Sequence, residues 1–391
     1  MGEPSSVAAT QNRTALHGMA ERLFKLVSDG ATPRQWAEWL RAPLEHAAAR
    51  GEKDLAQCLL KAGANGGAGW KGCDDRTLLQ AAAEGGNKET VSTFLEKGGS
   101  AELDAVGGKK KMTALHRASE RGHTAAAKVL MVQGANASLL DSSQRSVLHY
   151  AAEGGNLRLV EYLMIAGVDP NGRDLRGNTP LLLAAGKGHE KVVFTLLRRG
   201  ASTEVANSEG QHALHAAVNN GHVATAEELL RAGADPNFRY GENDRHSPLQ
   251  LGRYNTAMMK ALFKHGADVN EADKLGYTAL HWACVDAESA TIDALIEAGA
   301  HLEARSSRVQ LIRASSYRCN GLTPLHVATF WRNLGAMASL LHKGANVNVK
   351  DHKGSTPLHL VCKSSVRAHS AEVADFLLRR GADETVSDKN G

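Results

Sequence analysis

A short sequence pattern recurs about every 33 residues, and an internal repeat of this length limits the possible folds more than any other feature of the 391-residue chain. Each copy opens with a small or polar residue that is often followed by Pro, Leu and His. In eight of ten copies a Gly stands 21 residues after the first position, and one spacing, between the eighth and ninth copies, is 45 residues. The copies begin at Ala42, Thr77, Thr113, Ser146, Thr179, His212, Ser247, Thr278, Thr323 and Thr356.

The fifth copy shows why each one predicts a pair of α-helices. Thr179 followed by Pro180 is a helix start, because the hydroxyl can cap a free N–H and Pro needs no donor in the first turn. Gly188 followed by His turns the chain out of this helix. A second amphipathic helix that contains residues 192–197 closes at Gly200. One such pair cannot bury its apolar face alone, so the copies are expected to stack around a continuous core.

The Thr-Pro-Leu-His start, the paired Ala, the Gly-His turn, the Leu-Leu pair and the Gly-Ala-Asp end stand at the offsets of the ankyrin repeat. The chain resembles that family from about Ala42 to Asp388. The resemblance implies an all-α repeat solenoid of stacked helix-turn-helix units with β-hairpin fingers, used to bind other proteins. It also implies that a recurrent His holds neighbouring turns by hydrogen bonds. The recurrent residues are His116, His149, His215, His281, His326 and His359.

The segments outside the regular copies suggest domain boundaries. The first 40 residues lack a full repeat but carry apolar residues at helical spacing, and Trp36 and Trp39 can pack this cap onto the next unit. The last residues match the turn that introduces a further unit, with no helix after it, which predicts a fragment of a longer protein. The expected divisions are 1–40 for an atypical helical N-terminal cap, 41–388 for the ankyrin-repeat domain with a finger insertion at 305–320, and 389–391 for the start of a truncated unit.

Composition and motifs argue against several functional classes. Five Cys without a CxxC pair do not fit a secreted disulfide framework, and no apolar run approaches the ~18 residues that span a bilayer. A cytoplasmic location is expected, with the nucleus as the alternative. The GxGxxG at 67–72 lies between two helix pairs instead of after a buried strand, and HExxH, Walker and nucleophile-elbow motifs are absent from the sequence. We therefore expect no enzyme, cofactor or metal site, and His281 with Cys284 is interpreted as core packing.

The exposed side of the first helices is the expected binding surface, because these helices line the groove in the family that the chain resembles. The residue after the recurrent His, and those just before the inter-helix turn, should point into that groove. This rule selects aromatic residues, which are typical of interface hot spots. Aromatic packing within the stack is the open alternative. The residues selected are Tyr150, Trp282, Phe330 and Trp331.

The inserted finger beside this surface is basic. The chain has 46 Lys and Arg against 42 Asp and Glu, so its net charge of +4 equals the charge of the four Arg in this one loop. Guanidinium groups suit carboxylate and phosphate partners, which predicts an acidic or phosphorylated peptide as partner. A solvated loop is the alternative. The candidate finger residues are Arg305, Arg308, Arg313, Tyr317 and Arg318.

Together these features predict a non-enzymatic, monomeric scaffold or adaptor that binds a protein partner. The alternative function is the targeting or regulatory segment of a larger enzyme, such as a kinase, ubiquitin ligase or acyltransferase, whose catalytic domain is not in this chain. Nucleic acid is not an expected partner. Only the finger and the run 109–111 favour nucleic acid or anionic lipid, and that short Lys run is interpreted as a solvated hairpin tip.

Overall fold

The computed structural model describes residues 32–64, 71–72, 74–240, 247–252, 255–286, 288–310, 318–363 and 370–389. Positions 1–31 of the expected cap and the side chain of Trp36 lie outside the described residues. The prediction of an all-α repeat fold is confirmed, because short α-helices recur in pairs at the repeat spacing. The chain divides into two compact units: unit 1 ends at Val147, and unit 2 begins at Leu148. Each unit is described by itself.

The first and second helices of successive repeats alternate along both units. Helices up to the unit boundary are α1 (Pro33–Trp39), α2 (Arg41–Ala49), α3 (Lys53–Lys61), α4 (Leu78–Gly85), α5 (Lys88–Glu96), a 3₁₀ helix (Gly99–Glu102), α6 (Ala114–Glu120) and α7 (Thr124–Val132). From the boundary onward they are α8 (Val147–Glu153), α9 (Leu157–Ile165), α10 (Pro180–Lys187), α11 (Glu190–Arg198), α12 (Ala213–Asn219), α13 (Val223–Arg231), α14 (Pro248–Leu251), α15 (Thr256–Lys264), α16 (Ala279–Asp286), α17 (Ser289–Glu297), α18 (Pro324–Phe330), α19 (Leu334–His342), α20 (Pro357–Lys363) and α21 (Ser370–Arg379).

Small apolar side chains let the helices within a unit approach closely. In unit 2 the first helix α10 packs against the next first helix α12, and the second helix α11 packs against α13. Ala184 and Ala185 of α10 are fully buried, as are Val193 and Leu196 of α11. Alanine at the first-helix contacts leaves room for the neighbouring backbone, while each buried Leu or Val contributes about 2 kcal/mol.

In several repeats the recurrent His fixes the start of the first helix and joins it to the following repeat. At α18 the backbone N–H of Thr323 donates to Nδ1 of His326 (3.3 Å), and Nε2 of His326 donates to the carbonyl of Ser355 (3.0 Å). The link to the following repeat recurs at other copies, where Nε2 lies 2.7–3.1 Å from a carbonyl of the next connector. This confirms the hydrogen-bonding role that the family resemblance implies. The other such residues are His116, His149, His215 and His281.

Two copies use Gln in place of this His. The backbone N–H of Thr77 donates to Oε1 of Gln80 (3.1 Å), and Nε2 of Gln80 donates to the carbonyl of Met112 (3.2 Å). Gln250 makes the matching contacts in unit 2, accepting from the N–H of Ser247 at 3.1 Å. The amide reproduces the acceptor and the donor of a neutral imidazole, but it does not titrate.

A recurrent Asn joins consecutive connectors in the same way. Nδ2 of Asn270 donates to the carbonyl of Gly299 (3.0 Å), and its Oδ1 accepts from the backbone N–H of His301 (2.7 Å). Both ends of the amide are therefore used between repeats, which aligns each connector with the next. Equivalent pairs of bonds are made by Asn171, Asn237 and Asn348.

Two glycines of the fifth repeat have left-handed backbone conformations for different reasons. Gly200 follows α11 with φ of +91°, and a Cβ there would meet no atom within 4 Å, so only the backbone conformation favours glycine. Gly188 has φ of +75°, and a Cβ there would lie 2.5 Å from Nδ1 of His222. The His222 ring is held in place because its Nε2 donates to the carbonyl of Gly186 at 3.2 Å. Gly188 is therefore required by both conformation and packing.

Replacing Gly188 by Ala should lower the free energy of unfolding by about 2–4 kcal/mol, because the new methyl group displaces the His222 ring in addition to straining the backbone. Gly200→Ala is the matched control and should cost about 1 kcal/mol, from backbone strain alone. Urea denaturation followed by circular dichroism measures both variants. Equal losses would contradict the packing role assigned to Gly188.

Candidate functional site

Two neighbouring first helices of unit 2, α16 and α18, carry the aromatic residues selected from the sequence. Trp282 of α16 is half-buried, and its indole Nε1–H donates to Oδ2 of Asp273 at 3.0 Å. The Tyr277 ring meets the Trp282 ring edge-on with centroids 5.2 Å apart. The Trp282 ring is therefore fixed by the preceding finger, and only part of it faces solvent.

Phe330 and Trp331 lie at the C-terminal end of α18. Their rings meet edge-on with centroids 5.7 Å apart, and Phe330 is half-buried. Trp331 is 45% exposed, which is a large exposed fraction for an indole in a packed repeat. We call Trp282, Phe330 and Trp331, with the base of the finger at Arg305, the Trp331 surface.

The turn after Trp331 departs from the regular repeat. Arg332 has φ of +58°, although the corresponding position of the fifth repeat is Gly188. A non-glycine residue in this conformation costs about 1 kcal/mol. Local backbone strain of this kind is typical of functional segments, and here it adjoins the exposed indole.

The inserted finger begins and ends as an antiparallel pair of strands, β1 (Arg308–Gln310) and β2 (Arg318–Asn320). The register pairs Arg308 with Asn320 and Gln310 with Arg318. At its base the backbone N–H of Ser306 donates to the carbonyl of Leu322 at 2.9 Å. Among the predicted site residues, Arg313 and Tyr317 lie outside the described residues, as do the side chains of Arg308 and Arg318.

Arg305 links the finger to the next connector. Its Nη1 donates to the carbonyl of Lys350 (2.8 Å) and to that of Gly321 (3.3 Å). The sequence selected Arg305 as a partner-binding residue, and the structure shows that part of its guanidinium group holds the backbone instead. Arg305 as a whole is nevertheless exposed to solvent.

Tyr150 is buried, so the prediction that it binds a partner is wrong. The sequence rule places it in the groove, but its side chain is only 4% exposed. The rule fails because a large ring beside closely packed helices gains more from covering them than from facing water. Val327, which follows the recurrent His of α18, is likewise buried. The position after the His is therefore not a reliable guide to the binding surface.

His281 and Cys284 of α16 are both buried. Nδ1 of His281 accepts from the backbone N–H of Thr278 (3.1 Å), and its Nε2 donates to the carbonyl of Leu322 (3.0 Å). Burial lowers the pKa of His281 to about 4 and raises the pKa of the Cys284 thiol. The pair thus consists of a neutral imidazole with both nitrogens hydrogen-bonded and a protonated thiol in the core.

The sequence model of the family described as ankyrin repeats (3 copies) matches residues 44–141, 101–174, 148–240 and 304–388, and that of the single ankyrin repeat matches 275–307. The chain belongs to the ankyrin-repeat family. Ankyrin repeats mediate protein–protein interaction and are generally non-catalytic. The prediction made from the repeat pattern is thereby confirmed.

Several curated proteins share ankyrin segments with this chain. An ankyrin repeat protein of fowlpox virus is 41% identical over 61 residues (16% of this chain, 13% of that protein). The palmitoyltransferase Hip14 of Drosophila melanogaster is 37% identical over 93 residues (24% and 13%). The human protein phosphatase 1 regulatory subunit 27 is 29% identical over 87 residues (22% and 54%). The matched segments thus span between about an eighth and about half of these relatives.

A solved structure of the Bd0816 predatory endopeptidase from Bdellovibrio bacteriovorus, in complex with the immunity protein Bd3460, contains a similar chain. The likeness has a TM-score of 0.45 and 29% sequence identity, and it covers 52% of this chain and all of that chain. Among the described helices of the ankyrin-repeat chain, none combines the length and the hydrophobicity needed to cross a membrane.

Proposed function

We propose that this chain is a non-enzymatic scaffold or adaptor that binds a protein partner on the Trp331 surface and the finger. The observation that carries the proposal is the 45% exposure of Trp331, whose ring meets that of the half-buried Phe330, with the half-buried Trp282 on the neighbouring helix α16. A large ring that is held by neighbours and still open to solvent is the usual anchor of a protein interface. The ankyrin-repeat family supports the same class of function.

The finger supports an acidic or phosphorylated segment as the bound part of the partner. Its sequence from Arg305 to Asn320 has four Arg and no acidic residue, and at its base Arg305 contacts the carbonyl of Lys350 in the next connector. Arginine pairs with carboxylate and phosphate through two parallel hydrogen bonds. The proposal also places the protein in the cytoplasm or nucleus, where free thiols such as Cys58 and Cys284 are typical.

Replacing Trp331 by Ser should weaken partner binding by about 2 kcal/mol, or roughly thirtyfold in Kd, because the anchor ring is lost. Partners are captured from cell extract with the wild-type chain, identified, and then titrated in purified form. Trp39→Ser is the matched control, because Trp39 is 53% exposed and lies in unit 1. A purified partner that binds all three proteins equally would contradict a role for the Trp331 surface.

A second candidate function is that of a targeting or regulatory ankyrin segment of a larger enzyme, such as a kinase, ubiquitin ligase or acyltransferase. The 93-residue similarity to the Drosophila palmitoyltransferase Hip14 favours this candidate, because that enzyme contains a segment similar to this chain. Sequencing the transcript beyond the codon for Gly391 distinguishes the two functions. A reading frame that continues into a catalytic domain would support the second.

A further inference from the structure

A cavity of about 310 Å³ opens between two successive fingers of unit 1 and the first helix α6. It lies in a different unit from the Trp331 surface. Four of its lining residues are basic and two are acidic, which leaves a net charge of +2 at neutral pH. Met112 is the one apolar side chain among the lining residues. The lining consists of Asp74, Arg76, Gly108, Lys109, Lys110, Met112, Arg117 and Glu120.

The finger tip holds two of the lysines at this cavity. The backbones of Gly107 and Met112 exchange two hydrogen bonds (3.0 and 3.1 Å), and the N–H of Lys111 donates to the carbonyl of Gly108 at 3.1 Å. This tight turn makes Lys109 and Lys110 its central residues. Within the described part of the chain, Lys109 has no ion-pair partner, whereas Nζ of Lys110 lies 2.7 Å from Oε1 of Glu120.

The guanidinium groups behind the finger share one carboxylate, that of Glu84. Its Oε2 lies 2.8 Å from Nη1 of Arg76 and 3.5 Å from Nη1 of Arg117, and its Oε1 lies 2.6 Å from Nη2 of Arg121. Nε of Arg76 and Nε of Arg117 are buried and have no hydrogen-bond partner within the described structure. Nη2 of Arg76 also lies 3.5 Å from Oδ2 of Asp74 and 3.6 Å from Oε1 of Glu45, and the two Nε donors still remain unsatisfied.

Arg117 is a largely buried cation in the cavity wall. Its side chain is 12% exposed, and burial lowers its pKa even though Glu84, Glu120 and Asp74 oppose the shift. A Cβ on Gly108 would lie 2.5 Å from Nη2 of Arg117, so the glycine lets the guanidinium group lie directly against the finger. The cavity wall thus contains a desolvated cation next to the lysine turn.

We propose that this cavity binds the phosphate group of a phosphorylated serine or threonine side chain in a protein partner. A phosphate monoester carries a charge of about −1.5 to −2 at pH 7 and three acceptor oxygens, so it can accept from several of the lysine and guanidinium donors of the lining, whereas a carboxylate has one charge and two oxygens. The near absence of apolar lining disfavours the aromatic ring of phosphotyrosine. The inference shares with the proposed function only the premise that the partner is a protein.

The test uses the full chain labelled with ¹⁵N in arginine and the peptide acetyl-Gly-Gly-phosphoserine-Gly-Gly-amide as probe. We expect saturable shifts of the Arg76 and Arg117 Nε–Hε signals, with a Kd in the millimolar range or below. The Ser and Asp versions of the peptide should bind at least about tenfold more weakly. Equal binding of the three peptides would overturn the proposal, as would the absence of saturable shifts up to about 10 mM peptide.

Two variants and one control locate the site. Lys109→Ser removes an exposed cation from the turn, and Arg117→Gln removes the buried one; each should weaken phosphopeptide binding at least about fivefold. Lys97→Ser is the control, because Lys97 is an exposed lysine of unit 1 that does not line the cavity. Unchanged binding by Lys109→Ser in a folded protein would overturn the proposal.

A phosphoinositide is another source of the same phosphate chemistry. Vesicles containing phosphatidylinositol phosphate provide this arm of the test, and binding to vesicles without binding to the phosphopeptide would overturn the assignment to a protein partner. The Trp331→Ser measurement concerns unit 2 and a captured partner. Its failure and the failure of the phosphopeptide test are therefore distinguishable.

Discussion

Lowering the pH from 7 to 4 should strongly destabilise unit 2, through protonation of His215, His281 and His326. Burial lowers the pKa of each to about 4 from the ordinary value of 6.5. The folded chain therefore keeps these side chains neutral across a range in which the unfolded chain binds protons. Stability is fully present above pH 6.5 and falls as the pH drops towards 4, by about 3 kcal/mol per side chain.

The hydrogen bonds of His281 explain why protonation is unfavourable. Nδ1 accepts from the N–H of Thr278 and Nε2 donates to the carbonyl of Leu322, so a second proton on Nδ1 removes the bond from this N–H and leaves only the Thr278 hydroxyl oxygen, at 3.0 Å, as acceptor. Nearby charges do not offset the burial. His326 disfavours the charged form of His281, and at His326 itself the effects of Asp351 and Arg305 oppose each other.

The chain itself suggests a matched control variant for acid unfolding, because Gln80 and Gln250 make the same hydrogen bonds as the recurrent His but do not titrate. A triple variant with Gln at positions 215, 281 and 326 should lose much less stability between pH 6.5 and 4. Urea denaturation at a series of pH values measures the free energy of unfolding of both proteins. The contribution of the carboxylates, which the two proteins share, cancels in the difference between them. Parallel stability curves for the two proteins would contradict the prediction.

Replacing Glu84 by Gln should lower the free energy of unfolding by about 2–4 kcal/mol, because three guanidinium groups lose their shared counter-charge. Burial alone would raise the pKa of Glu84, but the hydrogen bond from Arg121 and the charges of Arg117 and Arg76 outweigh it and lower that pKa. The Glu84 side chain is only 18% exposed, so solvent screens the loss weakly.

Glu120→Gln is the control for this second prediction. The Glu120 carboxylate pairs with Lys110, and the two side chains are 31% and 53% exposed, so its loss should cost less than about 1 kcal/mol. Thermal unfolding at low and high salt measures both variants, and the Glu84 effect should be larger at low salt. Similar losses for the two variants would show that Glu84 does not organise the cluster.

The fold was predictable because each signal in the repeat acts over a short stretch of chain. Thr179 caps its own helix, and Gly188 turns the chain within a few residues. These roles follow from hydroxyl capping and left-handed glycine, which are read directly from the sequence. Stacking then follows from the repeated apolar faces.

The exposure and contacts of the candidate site residues were harder to predict, because they depend on residues in neighbouring repeats. The burial of Tyr150 and the contact from Arg305 to the carbonyl of Lys350 both involve side chains whose surroundings are distant in sequence. The same holds for Glu84, which meets Arg117 and Arg121 from the next repeat. Arg117 follows the recurrent His116, where the sequence rule expects a groove residue, but that rule does not reveal the carboxylate that Arg117 faces.

The two ends of the inserted finger are held close together by hydrogen bonds. Ser306 bonds to Leu322, and β1 pairs with β2 just beyond them, so the extra length is closed off before α18 begins. The loop can therefore be exchanged without moving the helices on either side of it. The length and charge of the loop can then change while the spacing between helices, on which folding depends, stays the same.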